Sequence, residues 1–219
     1  MPITLDADLD PALYPLAWLL GTWRGEGAVQ LAAEDGATDG RRVEQEVVAE
    51  PTEDGALAWS MRTWVLDAPP PVPPTAAFST AEDDDVDEAE DQEEAPRAVQ
   101  RRLLIAESGY WRVAGPVPGQ DLEAARTAKP GSPEALVSYR LEAVLASTQG
   151  TVEVCAGEVR GPRIQLATDR VGRTEGAVVA HTSSTRMFGL VGGRLLWLVE
   201  RAHESSESAP FISAELDRV

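Results

Sequence analysis

The chain is poor in the residues that most metal and nucleophile chemistry needs. Among 219 residues it has one cysteine, Cys155, and two histidines, His181 and His203. A single cysteine excludes an intrachain disulfide and gives no sign of an oxidising compartment. Two histidines leave few ways to assemble a Ser/His/Asp site, and HExxH, CxxC and GxSxG are all absent, so no metal site and no hydrolase site is expected. No apolar run approaches membrane-spanning length. The start, Met1-Pro2-Ile3-Thr4-Leu5-Asp6, lacks the basic and apolar regions of a signal peptide, which leads to the expectation of a cytoplasmic protein. Basic charge is scarce too: 19 basic residues against 37 acidic ones give a formal charge of −18 and a pI near 4.4. That balance argues against nucleic acid or an anionic membrane as a partner.

What is present is unevenly spread. Glu82, Asp83, Asp84, Asp85, Asp87, Glu88, Glu90, Asp91, Glu93 and Glu94 lie between Pro69 and Pro96 with no basic residue among them; without these ten the charge falls from −18 to −8. The stretch 69–96, proline-clustered and nearly free of large apolar residues, is expected to be a disordered insertion in one domain spanning 1–219. It could reach a basic partner. A second, milder insertion is expected at 115–133, with a helical turn near Asp121–Lys129. Loops tolerate such lengthening because closure entropy grows slowly with length.

The rest reads as strand. Leu57, Trp59, Met61, Thr63 and Val65 alternate with Ser60 and Arg62, and Tyr139, Leu141, Ala143 and Leu145 alternate with Arg140 and Glu142. Thr151–Ala156 sets Val152 and Val154 on one side, with Cys155 as a small buried hydrophobe. Gly157–Gly161 reads as a strand end and turn, Gly192-Gly193 as a hairpin, and a final strand covers Phe211–Val219 after a loop at Glu204–Pro210. Asp10-Pro11 opens a short helical turn that lies across a barrel end. Many short strands with tight turns indicate an all-β antiparallel sheet closed on itself. The six tryptophans fit a core more than a pocket.

Gly21, Trp23, Gly25 and Gly27 form the motif GxWxGxG. Gly21 suits a left-handed position past the helical turn, and glycines inside a strand mark bulges, bends or close backbone approach. Taken in order with Arg62-Thr63-Trp64, Glu107–Arg112, Leu141–Leu145, Gly150–Val154 and Ala214–Arg218, the motif resembles the nitrobindin family. The resemblance implies a ten-stranded antiparallel β-barrel, similar in shape to fatty-acid-binding proteins and other calycins. It also implies ferric haem b at one end of the barrel, which binds nitric oxide and isomerises peroxynitrite to nitrate.

The family holds its iron with a histidine in a C-terminal pattern like His-Leu-x-Ala-x-Leu-x-Arg. The matching segment here is Phe211-Ile212-Ser213-Ala214-Glu215-Leu216-Asp217-Arg218, so Phe211 stands where the axial histidine belongs. Phenylalanine has no lone pair for iron. The expectation is therefore a nitrobindin-like barrel without catalytic residues or ordinary haem ligation, free to take another apolar small molecule. Two alternatives stay open. Haem b could bind through a substitute ligand, His181 or His203, and support peroxynitrite isomerisation. Met187, Tyr110, Tyr139 and Cys155 are chemically able to ligate but no spacing singles them out. The barrel could instead carry a lipid, which an inward-facing Arg62, Arg140 or Arg186 would favour. Oligomeric state is not legible.

Overall fold

The structure, a computed structural model, describes residues 9–32, 38–67, 100–179, 181–204 and 206–219. The acidic segment 69–96 lies outside them. Ten strands form the fold: β1 Gly21–Ala32, β2 Thr38–Pro51, β3 Leu57–Leu66, β4 Arg101–Pro116, β5 Ser138–Ser147, β6 Thr151–Arg160, β7 Arg163–Arg173, β8 His181–Val191, β9 Arg194–His203 and β10 Ser206–Arg218. Each pairs antiparallel with its sequence neighbours, and β1 pairs with β10 to close the barrel. Closure removes every sheet edge. Between β4 and β5 lie a short α-helix, α1, Leu122–Thr127, capped by the Asp121 carboxylate on the backbone N–H groups of Glu123 and Ala124, and a 3₁₀ turn, Pro133–Ala135.

The N-terminal turn is a 3₁₀ helix, Pro11–Leu16. The Asp10 carboxylate accepts from Ala12 N–H, and Pro11 sits where a missing N–H is harmless. Leu13 and Leu16 drive it into the barrel, where it packs against β4 and β6. This helix-capped end also holds the β2–β3 turn, where Gly55 meets the Asp10 carboxylate. Above it lies an aromatic layer. Trp59 stacks on Trp111 at 4.8 Å, Phe188 meets both edge-on, and Trp197 stacks on Phe188 at 5.6 Å. The opposite, far end carries the β1–β2, β3–β4, β5–β6, β7–β8 and β9–β10 connections.

The glycine motif has a steric explanation. A Cβ on Gly25 or Gly27 would overlap the backbone carbonyls of Glu215 and Ser213 on β10, so the first and last strands close together only without side chains there. Gly21 sits at φ +116°, a conformation that suits glycine. Trp23 is fully buried and donates from its indole N–H to the Leu19 carbonyl at 2.8 Å. Arg218 then lies over the Trp23 ring, 4.1 Å from its centroid, and donates to the carbonyls of Trp18 and Leu20. The two ends of the chain are thus clasped through residues of the opening and closing motifs.

Three expectations need correction. Gly157 does not end a strand: β6 runs on to Arg160, and Gly157 lies so close to β7 that a Cβ would overlap the Gln165 carbonyl. β10 begins at Ser206, not Phe211, because Ala209 and Pro210 already pair with Arg201 and Glu200. β4 remains strand through Gly115 and Pro116, so the second excursion starts later than 115.

Gly27→Ala should lower stability by about 1–3 kcal/mol, the usual range for an overpacked site. Gly176→Ala, whose Cβ meets nothing within 4 Å, should stay within about 0.5 kcal/mol of the parent. Urea unfolding of both variants compares them directly.

Candidate functional site

Toward the far end the interior becomes polar. Glu107 from β4, Glu153 from β6, His181, Ser184 and Arg186 from β8, and Arg201 from β9 are all buried. Arg186 holds Glu107 in a two-pronged pair at 2.7 and 2.8 Å and lies 3.4 Å from Glu153. Strands β4 and β8 stand apart in the barrel, so this pair crosses the lumen. A second bridge crosses nearby: Trp197 Nε1 on β9 donates to the side-chain Oε1 of Gln45 at 2.8 Å, and Gln45 Nε2 on β2 donates to Thr63 Oγ1 at 2.9 Å. At this depth the barrel is spanned by side chains.

Glu153 is the hub. It accepts from His181 Nε2 at 2.9 Å, Ser184 Oγ at 2.5 Å and Thr168 Oγ1 at 3.1 Å. Burial raises its pKa, but the His181 hydrogen bond, the Arg186 charge and the Ser184 hydroxyl outweigh that, and the carboxyl is held well below the usual range. Arg186 is held firmly charged: burial opposes the charge, and Glu107 and Glu153 more than restore it. Cys155, beside Glu153 on the same face, has its thiol pushed up to about 11, chiefly by burial.

The hub reverses the face suggested by Val152 and Val154. Those valines are 43% and 39% exposed, while Thr151, Glu153 and Cys155 point inward. Register is the reason. Ala143 pairs with Cys155 and Leu145 with Glu153, and β5 buries Leu141, Ala143 and Leu145, so their partners on β6 must face the same way.

The sequence-predicted residues separate clearly. Arg62 is exposed and paired with Glu46, and Arg140 is exposed and donates to the Ala114 carbonyl; Arg186 alone of the three points inward. His181 is fully buried with Nε2 on Glu153, and its Nδ1 has no partner among the described residues. His203 pairs across strands with His181 but lies exposed at the rim. Tyr110 and Met187 are exposed on the outer wall. Phe211 occupies a β-bulge between the pairs Pro210–Glu200 and Ile212–Val199, and a bulge re-aims a side chain. Its ring is covered by Arg201, whose guanidinium carbon lies 3.7 Å from the centroid.

A fold of this kind, with this motif clasp and this C-terminal strand, has known counterparts. The model of the THAP4-like, heme-binding beta-barrel domain matches residues 12–218. The ferric nitrobindin-like protein of Beutenbergia cavernae is 38% identical over the full length of both chains. The chain belongs to the nitrobindin family. A relative from Kocuria rhizophila, named a peroxynitrite isomerase, is 30% identical over 100% of this chain and 96% of its own. The crystal structure of Rv2717c from M. tuberculosis shares the fold with a TM-score of 0.60 at 21% identity, covering 97% of this chain and 99% of that one.

In this nitrobindin-like barrel the residues missed by sequence reasoning are Glu107, Glu153, Ser184 and Arg201. One signal was available. Each stands at the inward parity of its strand, as Arg201 does after Leu195, Trp197 and Val199. A charge in that phase marks a polar interior.

Breaking the lumen pair by Glu107→Ala should cost about 3–5 kcal/mol by leaving Arg186 short of its main partner. Glu107→Leu combined with Arg186→Met should recover most of that loss in chemical denaturation. The depressed Glu153 carboxyl contributes stability above the ordinary value near 4.5 and loses it as pH falls through the folded value. The stability gap between parent and Glu153→Gln should therefore be widest above about pH 5 and narrow steadily below it.

Proposed function

We propose that this barrel is a nitrobindin relative that does not ligate haem at residue 211 and uses its far end to bind a different small ligand. One observation carries the reading: the ring face of Phe211, the residue that the family pattern sets against its axial histidine, is taken by Arg201 at 3.7 Å. A phenyl ring offers iron no electron pair. The neighbouring residues do not supply the missing donor. His181 commits Nε2 to Glu153 and is fully enclosed, and a haem entering at that depth would meet the Arg186–Glu107 bridge. Phe211, His181 and the ion pair beside them do not fit a histidine-ligated haem in the barrel interior. The aromatic layer fills the middle of the barrel, which confines any guest to the far end.

A second reading has one observation in its favour. His203 follows Arg201 on the same strand face, at the exposed rim, where its imidazole is free to meet a ligand from outside. Haem held there would keep the peroxynitrite isomerase activity named for the Kocuria relative.

Titration of the purified chain with hemin separates the two. The expected result is weak absorbance change with no stoichiometric Soret band. A one-to-one histidine-type ferric spectrum that disappears in His203→Ala would replace the first reading with the second. Phe211→His should gain hemin affinity, and gain more when Arg201→Ala clears the ring face.

A further inference from the structure

The buried charges of the far end are unequally shared. Two carboxylates, Glu107 and Glu153, face two guanidinium groups, Arg186 and Arg201. Both carboxylates lie on Arg186, at 2.7 and 3.4 Å. Arg201 is only 6% exposed, yet no carboxylate among the described residues lies within 4 Å of it. Among the described residues its one polar contact is a long 3.5 Å hydrogen bond from Nη1 to the Gln149 side-chain oxygen, and its Nε–H has no partner. Burial depresses its pKa to about 10; the Glu153 charge offsets only part of that from a distance, and Arg186 adds repulsion.

A buried cation with no anion in contact is costly, and folds that keep one place an anion against it. The arrangement is also shaped. The Arg201 guanidinium carbon lies 3.7 Å over the Phe211 ring, and an arginine packed on a ring face keeps the edge of its fork for in-plane contacts. That edge suits a planar pair of oxygens, which a guanidinium takes in two parallel hydrogen bonds. Two further buried nitrogens at the same end have no hydrogen-bond partner among the described residues: Arg186 Nε and His181 Nδ1. Ser184 stands directly opposite Arg201 in the strand register.

We propose that Arg201, held on Phe211, is the anchor of a binding site for a planar monovalent oxyanion, in the first place the carboxylate of a small organic acid. This rests on the reading that the far end does not hold haem, and names the class of ligand that takes its place. The residue at the family's axial position then serves as a platform: Phe211 orients Arg201 and does not itself touch the anion.

The test uses the full chain, free of haem, titrated calorimetrically with hexanoate, with nitrate and with the neutral hexanamide. Hexanoate should bind, hexanamide should bind at least tenfold more weakly, and Arg201→Met should weaken hexanoate at least tenfold. Arg201→Met keeps an unbranched chain over Phe211 and removes an uncompensated charge, so its Tm should equal or exceed the parent's, and hexanoate should no longer raise it. Nitrate as tight as hexanoate would assign a free oxyanion; nitrate much weaker would assign an acid with an apolar tail. Failure of both anions to bind would overturn the proposal. So would binding unchanged in Arg201→Met, equal binding of hexanamide, or a lower Tm in that variant with anion affinity intact. Because the hemin titration follows the Soret band and this one follows anion heat in haem-free protein, either reading can fail without the other.

Discussion

Everything in this barrel depends on how closely its first and last strands approach. β1 and β10 pair from Trp23–Arg218 to Val29–Ile212, and Gly25 and Gly27 leave room for the β10 backbone to pass. Arg218 then joins the chain's end to its beginning by covering Trp23 and binding two carbonyls before β1. Without closure the ladder would end in two open edges, and the interior-facing set on each strand would lose its partner across the lumen. Closure also sets register, and register decides which residue of each alternating pair goes inside.

That constraint explains a division of labour along the barrel axis. The helix-capped end and the middle are filled by Leu13, Leu16, Trp23, Trp59, Trp111 and Phe188, held chiefly by apolar and aromatic packing. The far end is filled by groups that need partners. Burying Glu107, Glu153 and Arg186 is tolerable because the bridges are short and multiple, and each carboxylate accepts more than one donor or a two-pronged one. Apolar packing supplies the fold; ionic bridging gives the far end its chemical character.

The fold was legible because closed barrels announce themselves locally. Alternation in β3 and β5, the hairpin at Gly192-Gly193 and the glycine motif each reflect one strand's own environment. Phe211 was singled out for a different reason, by a pattern of neighbours along the chain. The ionic cluster was legible only in part: Arg201 stands in phase with Leu195, Trp197 and Val199, but Glu153 depends on register between strands. Val152 and Val154 look like a buried face, and only pairing with Ala143 and Leu145 turns Glu153 inward. The pairing of Arg201 with Phe211 likewise needs the bulge beside Ile212, which adds one residue to a strand that alternation alone would read straight through. Gly157 misled in the opposite direction: as a turn-forming residue it suggested an ending, while it lies inside a continuous strand and leaves room for the β7 backbone.

Cys155 turns the same geometry into a clock. It is the chain's only thiol, nearly inaccessible on the inner wall beside Glu153, and its ionisation is pushed far above neutrality. Thiolate is the reactive form, so alkylating reagents meet almost none of it in the intact barrel. Ala143 on β5 and Thr168 on β7 flank it in the ladder, so a reagent reaches it when those strands part. The rate at which a thiol reagent consumes this protein therefore measures opening of the β5–β6–β7 wall, in a chain that needs no engineered probe to report it.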